Sequence, residues 1–248
     1  MLAADEDLIR VPDVDPALST ERLLTMHWLD GSRMLEHKDD ALAVRNRLAT
    51  AMFTAWWQPF SRFGVIHGDP HLGNYTVFKQ KAKPAGINLL DYGCIRIFPP
   101  KFVGGVVDLY NGLRNNDETR IVHAYETWGF HKLSRELIDI LNIWARFIYG
   151  PLMDDRVRSI ADGVKPGDYG RRQAFEVHKA LREKGPVRVP REFVLMDRAA
   201  IGLGGVFLHL RAELNFHRLF ESAIEDFSVK AVSARQSKAL TAAGLESE

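Results

Sequence analysis

Residues 65–93 read VIHGDPHLGNYTVFKQKAKPAGINLLDYG, and this stretch decides the fold. Asp69 stands five positions before Asn74, and Asp91 follows in an Asp-Tyr-Gly turn. Two short runs of branched and aromatic residues lie between Asn74 and Asp91, separated by a polar connection that contains proline and glycine. The pattern predicts a β-hairpin that brings Asp91 beside Asn74.

This spacing is the one with which a kinase-like fold holds magnesium and a nucleoside triphosphate. Mg²⁺ takes hard oxygen ligands and only one or two carboxylates, so Asn74 and Asp91 suffice as its protein ligands. Asp69 is then left to act as a base or to orient an acceptor hydroxyl or a water. The sequence therefore predicts Mg²⁺ and ATP as cofactors, Asp69 as the catalytic residue, and Asn74 and Asp91 as the metal site. His67 is predicted to brace the turn through hydrogen bonds to the backbone.

Three segments carry a resemblance to a known family. Residues 67–74, HGDPHLGN, are similar to the HADPHPGN catalytic loop of the UbiB-type (AarF/ADCK) atypical kinase-like family, and residues 89–93, LLDYG, look like its metal-binding turn. Residues 22–31, RLLTMHWLDG, which we call the hinge-like segment, resemble the strand and hinge that carry adenine in that family. His27 stands where the family usually has glutamate.

The resemblance implies that Met26, His27 and Trp28 contact the nucleotide. It also implies ATPase or phosphotransferase chemistry, which in this family is often linked to isoprenoid-quinone biosynthesis. The partners that follow are a nucleotide and a lipid or isoprenoid-quinone precursor.

The fold class that the resemblance implies is α+β and mostly helical, a protein-kinase-like C-lobe with a small β-hairpin. The residues before Arg22 contain no Gly-rich loop and no strand lysine, so we expect the N-terminal lobe to be missing and to be encoded separately. Catalysis by this chain alone is then not expected. The expected domains are a flexible segment 1–20, a C-lobe core with a hinge-like strand 21–150, a helical extension 151–227 and a flexible tail 228–248.

Apolar residues recur with helical spacing both before and after the hairpin. Apolar residues spaced near 3.6 positions predict a long helix over 41–62. Further helices are predicted over 102–114, 118–128, 134–148, 169–184 and 192–220. In the last of these, the glycines of 202–205 predict close helix packing and not a phosphate loop. Asp197 and Arg198 stand in an apolar helical stretch, so a structural ion pair or a hydrogen bond between helices is predicted there.

Composition excludes several classes of protein. The 248 residues carry a net charge of +1, so no basic field attracts nucleic acid. A single cysteine rules out an internal disulfide and fits a reducing compartment. The longest apolar run has about twelve residues, whereas a transmembrane helix needs about twenty. We expect a cytoplasmic protein with no transmembrane segment, and contact with the inner membrane from its periphery remains open.

Two alternatives stay open at this point. The first is a nucleotide-binding or scaffolding remnant of the same fold with no turnover. The second is a metal-dependent hydrolase, because His67, Asp69 and His71 alternate and would share one face of an extended strand. Together with Asp91 they would then form a transition-metal site.

Overall fold

The computed structural model describes residues 7–161, 163–165, 168, 170–171, 175–177, 179–180 and 190–245. The strands are β1 (Ile9–Arg10), β2 (Ser32–Arg33), β3 (Val65–His67), β4 (Tyr75–Gln80), β5 (Lys83–Leu89) and β6 (Ile95–Ile97). The helices are α1 (Leu42–Phe63), α2 (Pro100–Asn115), α3 (Glu118–Thr127), α4 (Arg135–Tyr149), α5 (Arg191–His209), α6 (Phe216–Ile224) and α7 (Val229–Ala242). The chain is thus mostly helical with a small sheet, which confirms the predicted α+β kinase-like class.

The predicted β-hairpin forms the centre of a four-stranded sheet with the order β1-β5-β4-β2. β4 and β5 pair antiparallel, with Tyr75 opposite Leu89. The polar connection is shorter than expected, because Lys81 and Ala82 alone make the turn, with φ angles of 49° and 64°. Two successive residues with positive φ match the twist of the flanking strands, so the hairpin continues almost to its tip.

The N-terminal segment is attached to this sheet. β1 pairs parallel with β5, and Ile9 is 3% exposed opposite Ile87. A Cβ at Gly86 would collide with the backbone of Leu8, so this close approach requires glycine. The flexibility expected for residues 1–20 therefore does not extend to Ile9–Arg10, because the buried Ile9 side chain ties them to the core.

The strand predicted within the hinge-like segment is not formed. Met26 makes a single antiparallel bridge to Val14, and the residues around it follow an irregular path. Leu23, Leu24 and Trp28 are exposed. A strand needs hydrogen bonds to a neighbouring strand along its length. In the described part of the chain this segment makes only two isolated bridges, one at Leu23 and one at Met26.

The long predicted helix is present as α1, and it positions the residues that follow. Its buried face carries aromatic side chains, among them Phe53, Trp56 and Phe60. The helix ends at Gly64, whose φ is +67° and whose N–H donates to the Phe60 carbonyl at 2.8 Å. This left-handed cap stops α1 immediately before β3.

The C-terminal region differs from its prediction in two places. The single helix predicted over 192–220 is divided into α5 and α6, because Arg211 takes a φ of +47° and turns the chain. The tail expected to be flexible forms α7. Gln236 of α7 donates to the carbonyls of Phe63 and Phe98 at 2.7 and 2.8 Å, so this helix caps the end of α1. The helix predicted over 169–184 falls largely on residues outside the described set.

No helix in the described part of the chain is long and apolar enough to cross a bilayer.

Asp197 on α5 has an unusual environment. Its carboxyl lines an apolar cavity together with Tyr125, Trp144 and Tyr149. Burial raises the pKa of the Asp197 carboxyl from 3.8 to about 7. The nearby Trp144 indole lowers this pKa and so offsets part of the rise. The distance and angle of the Trp144 Nε1 do not meet those of a normal hydrogen bond to any described residue. No described residue forms an ion pair with Asp197. Of the two predicted arrangements, the contact between helices is the one present, because the Trp144 indole of α4 lowers the pKa of this carboxyl. Burial between helices leaves the carboxyl without a cation among the described residues.

We expect the raised pKa of Asp197 to make the free energy of unfolding depend on pH. Between pH 4 and pH 7 the folded protein keeps a proton on Asp197 that the unfolded chain releases, so wild-type stability falls as the pH rises through this window. The variant Asp197→Asn removes the titration. Relative to wild type, its free energy of unfolding should be higher at pH 8 than at pH 5 by about 2 kcal/mol, measured by urea denaturation. The exposed Asp226→Asn variant is the control, and equal differences at both pH values for Asp197→Asn would contradict the expectation.

Candidate functional site

The site is built where two irregular segments are held side by side. We call them the Asp69 loop (residues 68–74) and the Asp91 turn (residues 91–94). β3 leads into the loop and pairs with β6, which follows the turn, so that His67 lies opposite Ile95. The N–H of Gly68 donates to the Cys94 carbonyl at 2.7 Å. The loop and the turn therefore meet at one end of the hairpin.

His67 joins the two segments through both of its ring nitrogens. Its Nε2 donates to the backbone carbonyl of Asp91 at 2.7 Å, and its Nδ1 accepts from the N–H of Asp69 at 3.3 Å. Because Nδ1 accepts from a backbone amide, the proton resides on Nε2. The histidine thus braces the turn, as the sequence predicts.

The three predicted oxygen donors lie within this junction. The Asn74 side chain donates through Nδ2 to the Asp69 carbonyl at 3.1 Å, which leaves its Oδ1 without a partner among the described residues. Asp91 accepts the N–H of Gly93 on Oδ1 at 2.7 Å, so its other oxygen faces no described donor. The exposed Asp69 carboxylate accepts no hydrogen bond from the described residues. Each side chain therefore keeps at least one oxygen available for a ligand.

Electrostatics at the junction favour a cation. Burial, followed by the charges of Asp69 and Asp91, raises the pKa of Tyr75 above its ordinary range. Both carboxylates thus act on the same phenol, and the two negative charges reinforce each other there. The negative charge of both carboxylates therefore acts at one point of the junction, where a cation would be attracted.

The donor set fits a hard divalent cation such as Mg²⁺. An amide oxygen and a carboxylate are ligands that Mg²⁺ accepts, and waters and phosphate oxygens complete its octahedron. Among the described residues, no group of three or more His, Cys, Asp or Glu is arranged to hold a metal. The all-protein cage of a transition-metal centre is therefore not assembled in this part of the chain.

The hydrolase alternative depended on such a cage and is not supported. Both nitrogens of His67 are engaged with the backbone. The Nδ1 of His71 accepts from the N–H of Gly73 at 3.1 Å. The alternation that suggested a shared strand face fails because β3 ends at His67 and the chain then turns at Pro70.

The hinge-like segment lies apart from these contacts. His27 and Trp28 are exposed, and Met26 is half-buried at its bridge to Val14. The Trp28 indole donates to Asp30 at 2.9 Å. None of the three predicted nucleotide-contacting residues forms a hydrogen bond with the Asp69 loop or the Asp91 turn in the described structure.

Asn88, which sequence reasoning missed, fastens the end of the hinge-like segment to the hairpin. This fully buried residue donates through Nδ2 to the Asp30 carbonyl at 3.1 Å and to Thr76 Oγ1 at 2.9 Å. Its Oδ1 has no hydrogen-bond partner among the described residues. A cue was available in the sequence, because an asparagine inside the apolar run INLL must satisfy its amide when the strand is buried.

Helix α5 closes the site on the side of the Asp69 loop. Gly202 faces Pro70, and a Cβ at Gly202 would lie 2.6 Å from the Pro70 Cγ. Gly202 therefore serves close packing, as the sequence predicts, but its packing partner is the loop and not another helix.

Comparisons with known proteins support a kinase-like assignment. The family model of the ABC1 atypical kinase-like domain matches residues 1–125. The chain is 23% identical over 218 residues to the protein Activity of BC1 Complex Kinase 1, chloroplastic, of Arabidopsis thaliana, covering 86% of this chain and 29% of that protein. It is 31% identical over 100 residues to AarF domain-containing kinase 1 of Drosophila melanogaster, covering 38% of this chain and 18% of that protein.

A solved structure shares the fold. The chain resembles Rv3197 of Mycobacterium tuberculosis, solved in complex with erythromycin, with a TM-score of 0.63, 19% sequence identity, and coverage of 90% of this chain and 54% of that one. At this identity the likeness concerns the fold alone. The chain spans about a third of the length of the first curated relatives, 29% and 35%.

The role of Asn88 leads to a test of how the site is assembled. The variant Asn88→Ala removes the donor to Asp30 and Thr76, and we expect it to lower the free energy of unfolding by about 1–3 kcal/mol. Hydrogen exchange at Gly31 and Ser32 should become faster by a larger factor than exchange in α1. The exposed Asn115→Ala serves as the control. Unchanged exchange at Gly31 would show that Asn88 does not hold the segment.

Proposed function

The chain belongs to the ABC1 atypical kinase-like family, and from that premise we propose that the Asp69 loop and the Asp91 turn bind Mg²⁺ and ATP for hydrolysis or phosphoryl transfer. The family match and the relatives named as AarF and ABC1 kinases confirm the resemblance to the UbiB type. Membership supports the use of a nucleotide in general.

One observation carries the proposal. The Asn74 amide donates through Nδ2 to the Asp69 carbonyl, which leaves its Oδ1 without a partner among the described residues and available for a ligand. The Leu90 N–H donates to the Asn74 carbonyl at 3.1 Å. Asp91 is the next residue after Leu90, so this hydrogen bond holds its backbone near Asn74. The amide oxygen of Asn74 and the carboxylate of Asp91 are both hard oxygen donors, which suit Mg²⁺.

The roles of the residues follow from their partners. Mg²⁺, when bound, would neutralise and orient the phosphates of the nucleotide. Asn74 and Asp91 would hold it. Asp69, whose carboxylate accepts no hydrogen bond from the described residues, would take the proton of an acceptor hydroxyl or orient a water.

The contacts with adenine require more than the described residues. We propose that Met26, His27 and Trp28 line the adenine edge, which fits the 87% exposure of Trp28. A kinase-like N-terminal lobe would supply the lysine for the α- and β-phosphates. A lipid or isoprenoid-quinone precursor is the proposed substrate class, by analogy with the UbiB type. The same fold without turnover, a nucleotide-binding scaffold, is the second candidate.

Metal-dependent binding provides the first test. We expect paramagnetic Mn²⁺, which prefers the same oxygen ligands as Mg²⁺, to broaden the NMR signal of the Gly93 amide when added together with ATP. Asp91→Asn should reduce this broadening at least tenfold, because it removes the charged ligand. The exposed Asp226→Asn should leave it unchanged. The proposal fails if Asp91→Asn and Asp226→Asn behave alike.

Asp69→Asn separates binding from turnover. It removes the base and leaves both metal ligands in place, so the broadening of Gly93 should persist while any ATP hydrolysis falls by about 10²–10⁴-fold. A parallel loss of broadening would assign Asp69 to the metal instead. Broadening without measurable hydrolysis in wild type would favour the scaffold.

A further inference from the structure

A cavity of about 320 Å³ opens on the far side of Asp69, between the Asp69 loop and α5. Asp69 and His71 line it from the loop, and Arg198 and His209 line it from the helix. Neither Asn74 nor Asp91 is among its lining residues, so the cavity adjoins the proposed metal site and does not coincide with it. Asp69 is the residue that borders the cavity and also carries the proposed chemistry.

The helix wall of this cavity follows from the sequence spacing. Arg198, Gly202, Gly205 and His209 are four, three and four residues apart, which places them on one face of α5. The two glycines lower the middle of that face, and Pro70 lies against Gly202. The result is a recess with a basic side chain at each end.

Arg198 brings a positive charge to the recess. Its side chain is exposed and makes no ion pair with any described residue. The neighbouring Asp197 does not neutralise it, because that carboxyl lines the apolar cavity with Trp144 and Tyr149. An arginine guanidinium offers paired N–H donors that match a phosphate or a carboxylate.

The imidazoles add donors without adding negative charge. His209 is exposed and forms no hydrogen bond with a described residue. His71 uses Nδ1 to accept from Gly73, which leaves Nε2 for a ligand. Asp69 is then the one carboxylate among the lining residues, and its negative charge suits a hydroxyl donor better than an anion.

We propose that this cavity is the acceptor subsite and that it takes a small molecule bearing both an anionic group and a hydroxyl. The anionic group binds Arg198 and the imidazoles, and the hydroxyl donates to Asp69. The volume is at the lower end of small-molecule pockets, roughly 300–1,000 Å³, so it suits a small molecule or the polar head of a lipid or isoprenoid-quinone precursor, and not a protein segment. This assignment deepens the proposed function and rests on it for the role of Asp69.

The transfer step then balances within the two adjoining sites. The acceptor oxygen forms the new bond to the γ-phosphorus of ATP. The bond from that phosphorus to the bridging oxygen breaks, and its electron pair leaves on ADP. The hydroxyl proton passes to the Asp69 carboxylate.

Glycerol 3-phosphate, which has one phosphate and two hydroxyls, is a suitable probe. Added to the full chain without metal or nucleotide, it should shift the imidazole NMR signals of His71 and His209 in a saturable way. Arg198→Gln should weaken this binding at least tenfold. Arg191→Gln, an exposed position of the same helix outside the cavity lining, is the matched control and should bind as wild type does. Glycerol, which lacks the anion, should leave both signals unmoved.

The failures of the two proposals are distinguishable. Asp91→Asn should leave the binding of glycerol 3-phosphate unchanged while it abolishes the Mn²⁺-dependent broadening of Gly93. If wild type binds glycerol 3-phosphate but Mn²⁺ with ATP does not broaden the Gly93 signal, the proposed function is overturned. The cavity is then an anion-binding site only. Broadening without a shift of His209, or equal affinities for Arg198→Gln and Arg191→Gln, overturns the subsite. Because Arg198 is exposed and forms no ion pair with a described residue, its replacement should leave the circular dichroism spectrum unchanged, which shows that a loss of binding is not a loss of fold.

Discussion

The hydrogen bond from His67 Nε2 to the Asp91 carbonyl, 2.7 Å long, is the contact on which the site depends. It joins the end of β3 to the turn after β5, segments that the hairpin alone would leave independent. The second nitrogen of the same ring holds the Asp69 backbone, so one imidazole fixes the Asp69 loop and the Asp91 turn together. A site built on irregular backbone needs such bracing, because loops lack the ladder hydrogen bonds that fix strands. Both ring nitrogens of His67 are thereby engaged with the backbone, whereas the Asp69 carboxylate accepts no hydrogen bond from the described residues.

The regular elements around the site each perform one positioning task. α1 ends at a left-handed Gly64 and so delivers β3 at a fixed point. α7 covers the open carbonyls at that end through Gln236, which explains why a tail of small residues is ordered. α5 supplies the opposite wall, where glycine permits the approach of Pro70. Apolar packing of these helices therefore determines the geometry of polar groups that they do not themselves carry.

Helix α5 also shows how a burial pattern separates two charges that are adjacent in sequence. Asp197 faces the aromatic cavity, where burial raises its pKa to about 7. Arg198 faces the Asp69 loop. Successive helical residues point about 100° apart, so adjacent charges meet different surroundings and need not pair. The sequence predicted a structural ion pair or a hydrogen bond between helices for this stretch, and the helix places the two residues on two different faces.

The sequence by itself determined the hairpin, the long helix, the kinase-like class and the convergence of Asp69, Asn74 and Asp91, because these follow from short-range spacing and turn chemistry. It also carried the family resemblance, since the motif lies within one continuous stretch. Only the tertiary structure decided that Ile9 joins the sheet, that the hinge-like segment is no strand, that Asn88 secures it, and that Arg198 borders Asp69. Each of these features depends on contacts between residues that are far apart in the sequence. The free energy of burying a side chain is set by the residues that cover it, and not by its neighbours along the chain.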